Sequence, residues 1–161
     1  MILFKIAIKI RGFLFRYKTP KDKTPFACSL SEFSTKTNKM KYKADPFKGA
    51  IDYTASVDTF FKRKKFGRDC DDYARMWFTF GVLNNYKATE IVVANNGGFF
   101  LHHLHVVTIL FKDGEYILCN YRLKRNFTSF EDAINSLKSR KSYSSGLLWA
   151  IELESKKCVI I

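Results

Sequence analysis

An α+β fold, in which helices lead into a mostly antiparallel sheet, is what this chain of 161 residues predicts. Three observations carry the expectation. Residues 70–83 (CDDYARMWFTFGVL) have helical spacing behind an acid suited to capping, Asp69. Two apolar runs, LHHLHVVTILF and EYILCNYRL, flank Lys112-Asp113-Gly114-Glu115, a tight-turn signal because Asp and Gly tolerate positive φ. The length suffices for one real core, and 47% hydrophobic residues against 27% charged argues against disorder.

The opening MILFKIAIKIRGFLFRYK alternates over Phe4–Ile10 and reads as a strand or short helix docked on the domain. Its apolar residues are broken by Lys5, Lys9, Arg11 and Arg16, unlike a signal peptide or a transmembrane helix. Residues 18–45, rich in Lys, Thr and Ser with two prolines, read as irregular, so residues 1–44 form a basic arm. The main domain then spans 45–161. Asp45-Pro46 opens a helix to about Lys64, since proline suits a first helical turn. ATEIVVA (88–94) reads as a strand and Asn95–Gly98 as a loop. Thr128-x-x-Glu131 is a capping-box pattern for a helix to about Arg140, and LLWAIEL (147–153) closes as a strand.

The charge is +13 and uneven: residues 1–66 hold 16 Lys/Arg against 5 Asp/Glu, the remainder 12 against 10. A basic face of this kind attracts polyanions, and equally serves as a solvated surface. Cys28, Cys70, Cys119 and Cys158 include no CxxC pair, which argues against a zinc cluster or a disulfide scaffold. They fit free thiols in a reducing, cytoplasmic compartment.

Cys70 has two readings. Behind Asp69 it falls in the first turn of its helix, where the dipole favours a thiolate, although Asp71 and Asp72 oppose one. A lone cysteine there is equally a small packing residue. On its stripe, Ala74 and Gly81 leave room for a sheet to approach. A nucleophile needs a base, and the hairpin offers one. With Asp113-Gly114 as the turn, His103, His105, Val107 and Ile109 share a face with Tyr116, Leu118 and Asn120, and His105 faces Arg122. Asn120 then lies diagonal to His105, roughly 7–8 Å between Cβ atoms, within reach of two polar side chains. His102 and Cys119 point to the other face. In a Cys–His–Asn set the imidazole takes the thiol proton and the Asn carbonyl fixes the ring. A histidine and an asparagine merely paired in a sheet would look the same.

GRDCDDYA, His105-Val-Val and YILCNY, in this order and spacing, resemble the transglutaminase-like cysteine proteinase superfamily, closest to its small bacterial and phage members. The resemblance covers about residues 45–125. It implies a papain-like α+β core, with the cysteine on a helix end against an antiparallel sheet. It also implies Cys70 as nucleophile, His105 as base and Asn120 as orienting residue. Many relatives carry Asp-Asn where this chain has Cys119-Asn120, so only Asn120 could be the third member. The expected activity is attack on an amide carbonyl of a protein or peptide, followed by hydrolysis or by transfer to an amine. No metal or organic cofactor is implied. The rival is a non-catalytic module of the same fold whose basic N-terminal part contacts nucleic acid, weakly, or another polyanion, with Tyr42, Phe60 and Phe61 among the aromatics interleaved with its charges. Metal binding by the HHLH cluster is disfavoured, because a strand splits those histidines between faces.

Overall fold

The computed structural model describes residues 28–43, 60–61, 68–95, 104–138, 148–152 and 158–160. Within them lie helices α1 (Leu30–Asn38), α2 (Cys70–Leu83) and α3 (Phe130–Lys138). The strands are β1 (Lys87–Asn95), β2 (Leu104–Lys112), β3 (Glu115–Asn120), β4 (Arg122–Phe127), β5 (Leu148–Glu152) and β6 (Cys158–Ile160). They form one sheet in the order β4-β3-β2-β1-β5-β6. Every neighbouring pair is antiparallel, as the α+β reading expects.

The central hairpin forms at Asp113-Gly114. Lys112 pairs with Glu115 and Ile109 with Leu118, and the turn residues take φ of 53° and 85°. Side-chain alternation then splits the core in two. One face carries Ala88, Leu110, Ile117 and Cys119 against Trp77 and Phe80 of α2. The other carries Ile91, Val107, Ile109 and Leu118 against Ala133, Ile134 and Leu137 of α3. Helix α2 is buried nearly all round, from Asp71 to Gly81, because α1 and Phe60 cover the side the sheet does not. Phe33 of α1 is wholly buried, stacked on Phe80 at 4.2 Å and edge-on to Trp77 at 5.1 Å. An Asn85 in the left-handed region (φ 61°) ends α2, with Tyr86 N–H donating to the Gly81 carbonyl at 2.9 Å.

Helix α2 lies close on the sheet. A Cβ built on Gly81 would stand 2.5 Å from Leu110 Cδ2 and 3.0 Å from Ala88 Cβ. Further along, Thr108 Oγ1 donates to the Ala74 carbonyl at 2.7 Å. The small residues of the Cys70 stripe thus do what their size permits. A buried ion pair, Arg75 Nη1 to Glu90 Oε2 at 3.4 Å, ties α2 to β1.

Four local expectations are corrected. The segment read as irregular holds α1, started by a capping box in which Ser29 and Glu32 satisfy each other's backbone N–H groups. Its polar composition hid a buried aromatic anchor, Phe33. Helix α3 is capped by Ser129 and Asp132, one residue later than Thr128 and Glu131: Asp132 N–H donates to Ser129 Oγ at 3.0 Å, and Ser129 Oγ donates to Asp132 Oδ2 at 2.7 Å. Asp69 occupies the N-cap of α2 without a capping bond from its side chain. The run EYILCNYRL is two strands, broken at Tyr121, so Arg122 pairs with Asn120 and does not face His105. Strand β6 was not anticipated. The element expected at the N-terminus, the helix 45–64 apart from Phe60 and Phe61, most of the Asn95–Gly98 loop, and both His102 and His103 lie outside the described residues.

Candidate active site

The sheet brings two of the three expected residues into direct contact. His105 Nε2 lies 2.8 Å from Asn120 Oδ1, and the two residues are 5% and 2% exposed. The diagonal relation across β2 and β3 is what lets the side chains meet. An amide oxygen only accepts, so Nε2 carries the proton and Nδ1 of the neutral ring presents a lone pair. The Asn120 amide nitrogen is buried with no hydrogen-bond partner among the described residues. A buried donor left unmade costs about 1–3 kcal/mol. Packing alone is therefore a poor reason for an asparagine here.

By strict alternation this pair belongs to the face that α3 covers, whereas Cys70 rides on α2 across the sheet. Tyr121 connects them at the end of β3. Its φ of 57° turns the chain sharply, and its ring packs 5.0 Å from the His105 ring, 5.5 Å from Tyr73 of α2 and 5.1 Å from Tyr42. Its hydroxyl stands 3.3 Å from His105 Nδ1, and its carbonyl accepts from Trp77 Nε1 at 3.5 Å. His105 Nδ1 thus points into an aromatic corner beside the start of α2 and not into the apolar layer under α3.

Tyr42, still 54% exposed, borders that corner. The chain from Met40 to Lys43 passes over the start of α2, held by the Tyr73 hydroxyl donating to the Met40 carbonyl at 2.8 Å. Reciprocal backbone bonds join Lys43 and Arg68 at 3.2 and 2.7 Å. Burial pushes the Tyr42 phenol above its ordinary value, and the nearby Cys70 and Asp69 push the same way. A hydrogen bond with Tyr121 opposes them. The half-buried Cys70 thiol, at the first position of α2, lies near enough to Tyr42 to act on its phenol. Tyr42 in turn packs edge-on to Tyr121, whose hydroxyl stands beside His105 Nδ1.

None of Cys28, Cys70 and Cys119 is in a disulfide. Cys119 is buried on the α2 face, and that burial holds its thiol well above the usual range. Donor atoms of Asp69, Cys70 and Asp71 lie within 4.8 Å of one another. Acids gather at helix starts because the dipole favours them there, and these three consecutive residues read as such a start. No helix of the described residues is long and apolar enough to cross a membrane.

Two residues of this corner escaped the sequence. Tyr121 sits where an alternating strand read straight through, and nothing in YRL announces a positive φ. Tyr42 was grouped with aromatics interleaved among charges. Protein-family models, curated proteins and solved structures give this chain no match.

Proposed function

We propose that the chain is a thiol enzyme acting on amide bonds of a protein or peptide, on a papain- or transglutaminase-like core, with Cys70, His105 and Asn120 as its triad. One observation carries the reading: a buried imidazole bonded to Asn120 through Nε2, with Nδ1 turned toward the corner where α2 begins. That is the orientation a base needs, because the nitrogen opposite the orienting amide is the one that takes the thiol proton. The cysteine at a helix start and the two antiparallel strands bearing histidine and asparagine support the core assignment.

The steps follow from the groups. His105 Nδ1 takes the proton of Cys70, and the thiolate adds to the amide carbonyl. The backbone N–H of Cys70, at the first position of α2 where the helix dipole is positive, stabilises the oxyanion. The imidazolium returns the proton to the departing amine, leaving an acyl-thioester on Cys70. Water or a second amine then takes the acyl group. Asn120 holds the ring through both proton transfers.

An activated acyl ester tests this without a known substrate. After brief incubation with p-nitrophenyl acetate, peptide mapping by mass spectrometry should find acetyl on Cys70 in the wild type and much less in His105→Ala. Acetyl spread equally over Cys28 and surface lysines, with no effect of His105→Ala, would overturn the proposal.

A further inference from the structure

We propose that Tyr121 is a positioning residue that holds His105 Nδ1 in its unprotonated form and competes with the Cys70 thiol for that nitrogen. The inference rests on the thiol-enzyme reading of the site and names how its base is controlled.

The Tyr121 hydroxyl is aimed with care. A tyrosine in the left-handed region is strained, and such strain persists only where the surroundings impose it, often at functional sites. Here the Trp77 indole bonds its carbonyl, and the rings of Tyr42, Tyr73 and His105 surround its own. Because Nε2–H donates to Asn120, Nδ1 can only accept, and the Tyr121 O–H donates to it. A donor on Nδ1 stabilises the neutral ring and disappears as a partner once the ring is protonated. The contact therefore opposes formation of a thiolate–imidazolium pair until the hydroxyl is displaced. Among the described residues, the titratable and charged groups around this corner are Tyr42 from the overlying segment, and Asp69, Cys70, Asp71 and Tyr73 from the start of α2. Arg68 and Arg122 act on Tyr73.

Tyr121→Phe removes the hydroxyl, and with it the bond to Tyr42, and keeps the ring contacts, the turn and the carbonyl bond. Two readouts apply to the full chain. The His105 imidazole, followed by NMR across pH, should titrate at a higher midpoint in Tyr121→Phe than in the wild type. Alkylation of Cys70 by iodoacetamide at pH 7 should become faster, on the order of 5-fold for one lost hydrogen bond. An unchanged midpoint would reduce Tyr121 to packing and overturn the proposal. Slower alkylation would also overturn it, because Tyr121 would then be passing the proton on. The midpoint does not need the thiol, so repeating it in Cys70→Ser separates the two ideas. If wild-type Cys70 proves unreactive the enzyme reading fails, while the Cys70→Ser titration still decides whether Tyr121 controls the base.

Discussion

A methyl group at position 81 should weaken the seat of α2 on the sheet. In Gly81→Ala the new Cβ would stand 2.5 Å from Leu110 Cδ2 and 3.0 Å from Ala88 Cβ. Carbon atoms prefer about 3.5–4.0 Å, so both contacts must open. Leu110 is fully buried and cannot swing its methyl into solvent, and the Ala88 Cβ moves only with its strand. Overpacking of this kind costs about 1–3 kcal/mol. The better helix propensity of alanine returns about 1 kcal/mol. Both contacts lie on the paired strands that seat α2, so the helix must lift from the sheet and the upper part of the range applies, leaving a net loss of about 1–2 kcal/mol. For a chain of this size that lowers Tm by about 2–8 °C. Urea unfolding followed by circular dichroism should show a lower midpoint with an unchanged slope. Leu110→Val makes room, so the double variant should lose less than the two single losses combined. If Gly81→Ala were neutral, or more stable by the propensity gain, α2 would not lie this close and the placing of Cys70 from it would fail.

Other perturbations test separate parts of the account. Glu90→Gln removes the carboxylate charge that faces the buried Arg75 guanidinium and should cost about 3 kcal/mol, most of it restored by the apolar pair Arg75→Met, Glu90→Leu, as measured by urea unfolding. Ser129→Ala should destabilise by about 1 kcal/mol because it removes the cap of α3, whereas Thr128→Ala should change stability little. Burial raises the Cys119 thiol well above 9.0 and also raises the Tyr73 and Tyr86 phenols. These groups are neutral when protonated and ionise more readily unfolded, so their stabilisation is complete below the unfolded values and is lost as pH rises. Stability should hold to about pH 8, then fall above the ordinary thiol and phenol ranges, and Cys119→Ala should blunt the first part of the fall.

Much of the sheet was legible because its signals are local. Asp113-Gly114 sets the turn, and the period of two then sets which residues share a face, which is how the sequence alone pairs His105 with Asn120. The seat of α2 was legible for a similar reason: small residues at Ala74 and Gly81 mark a close approach. What escaped depends on tertiary fit. Phe33 looks like any aromatic in a polar stretch until its stacking on Phe80 shows that it anchors α1. Thr128 and Ser129 are both adequate caps, and the choice fell to Ser129, where Phe130 at the head of α3 packs edge-on to Tyr116 at 6.2 Å. Tyr121 is the largest loss. Its positive φ has no composition signal, yet it is the residue that joins the His105–Asn120 pair to the side of the sheet where Cys70 lies.

The measurement that bears most directly on the enzyme reading is the rate of iodoacetamide labelling at each cysteine between pH 6 and pH 9, read by mass spectrometry on the full chain. If Cys70 is a nucleophile served by His105, it should label well ahead of Cys28, Cys119 and Cys158 on the acid side of that window, where an unassisted thiol is almost wholly protonated. His105→Ala should remove that acid-side advantage, and Asn120→Ala should reduce it. Cys70 labelling no faster than Cys28, with the same pH dependence and no response to His105→Ala, would contradict the reading and leave Cys70 a packing residue at the start of a helix.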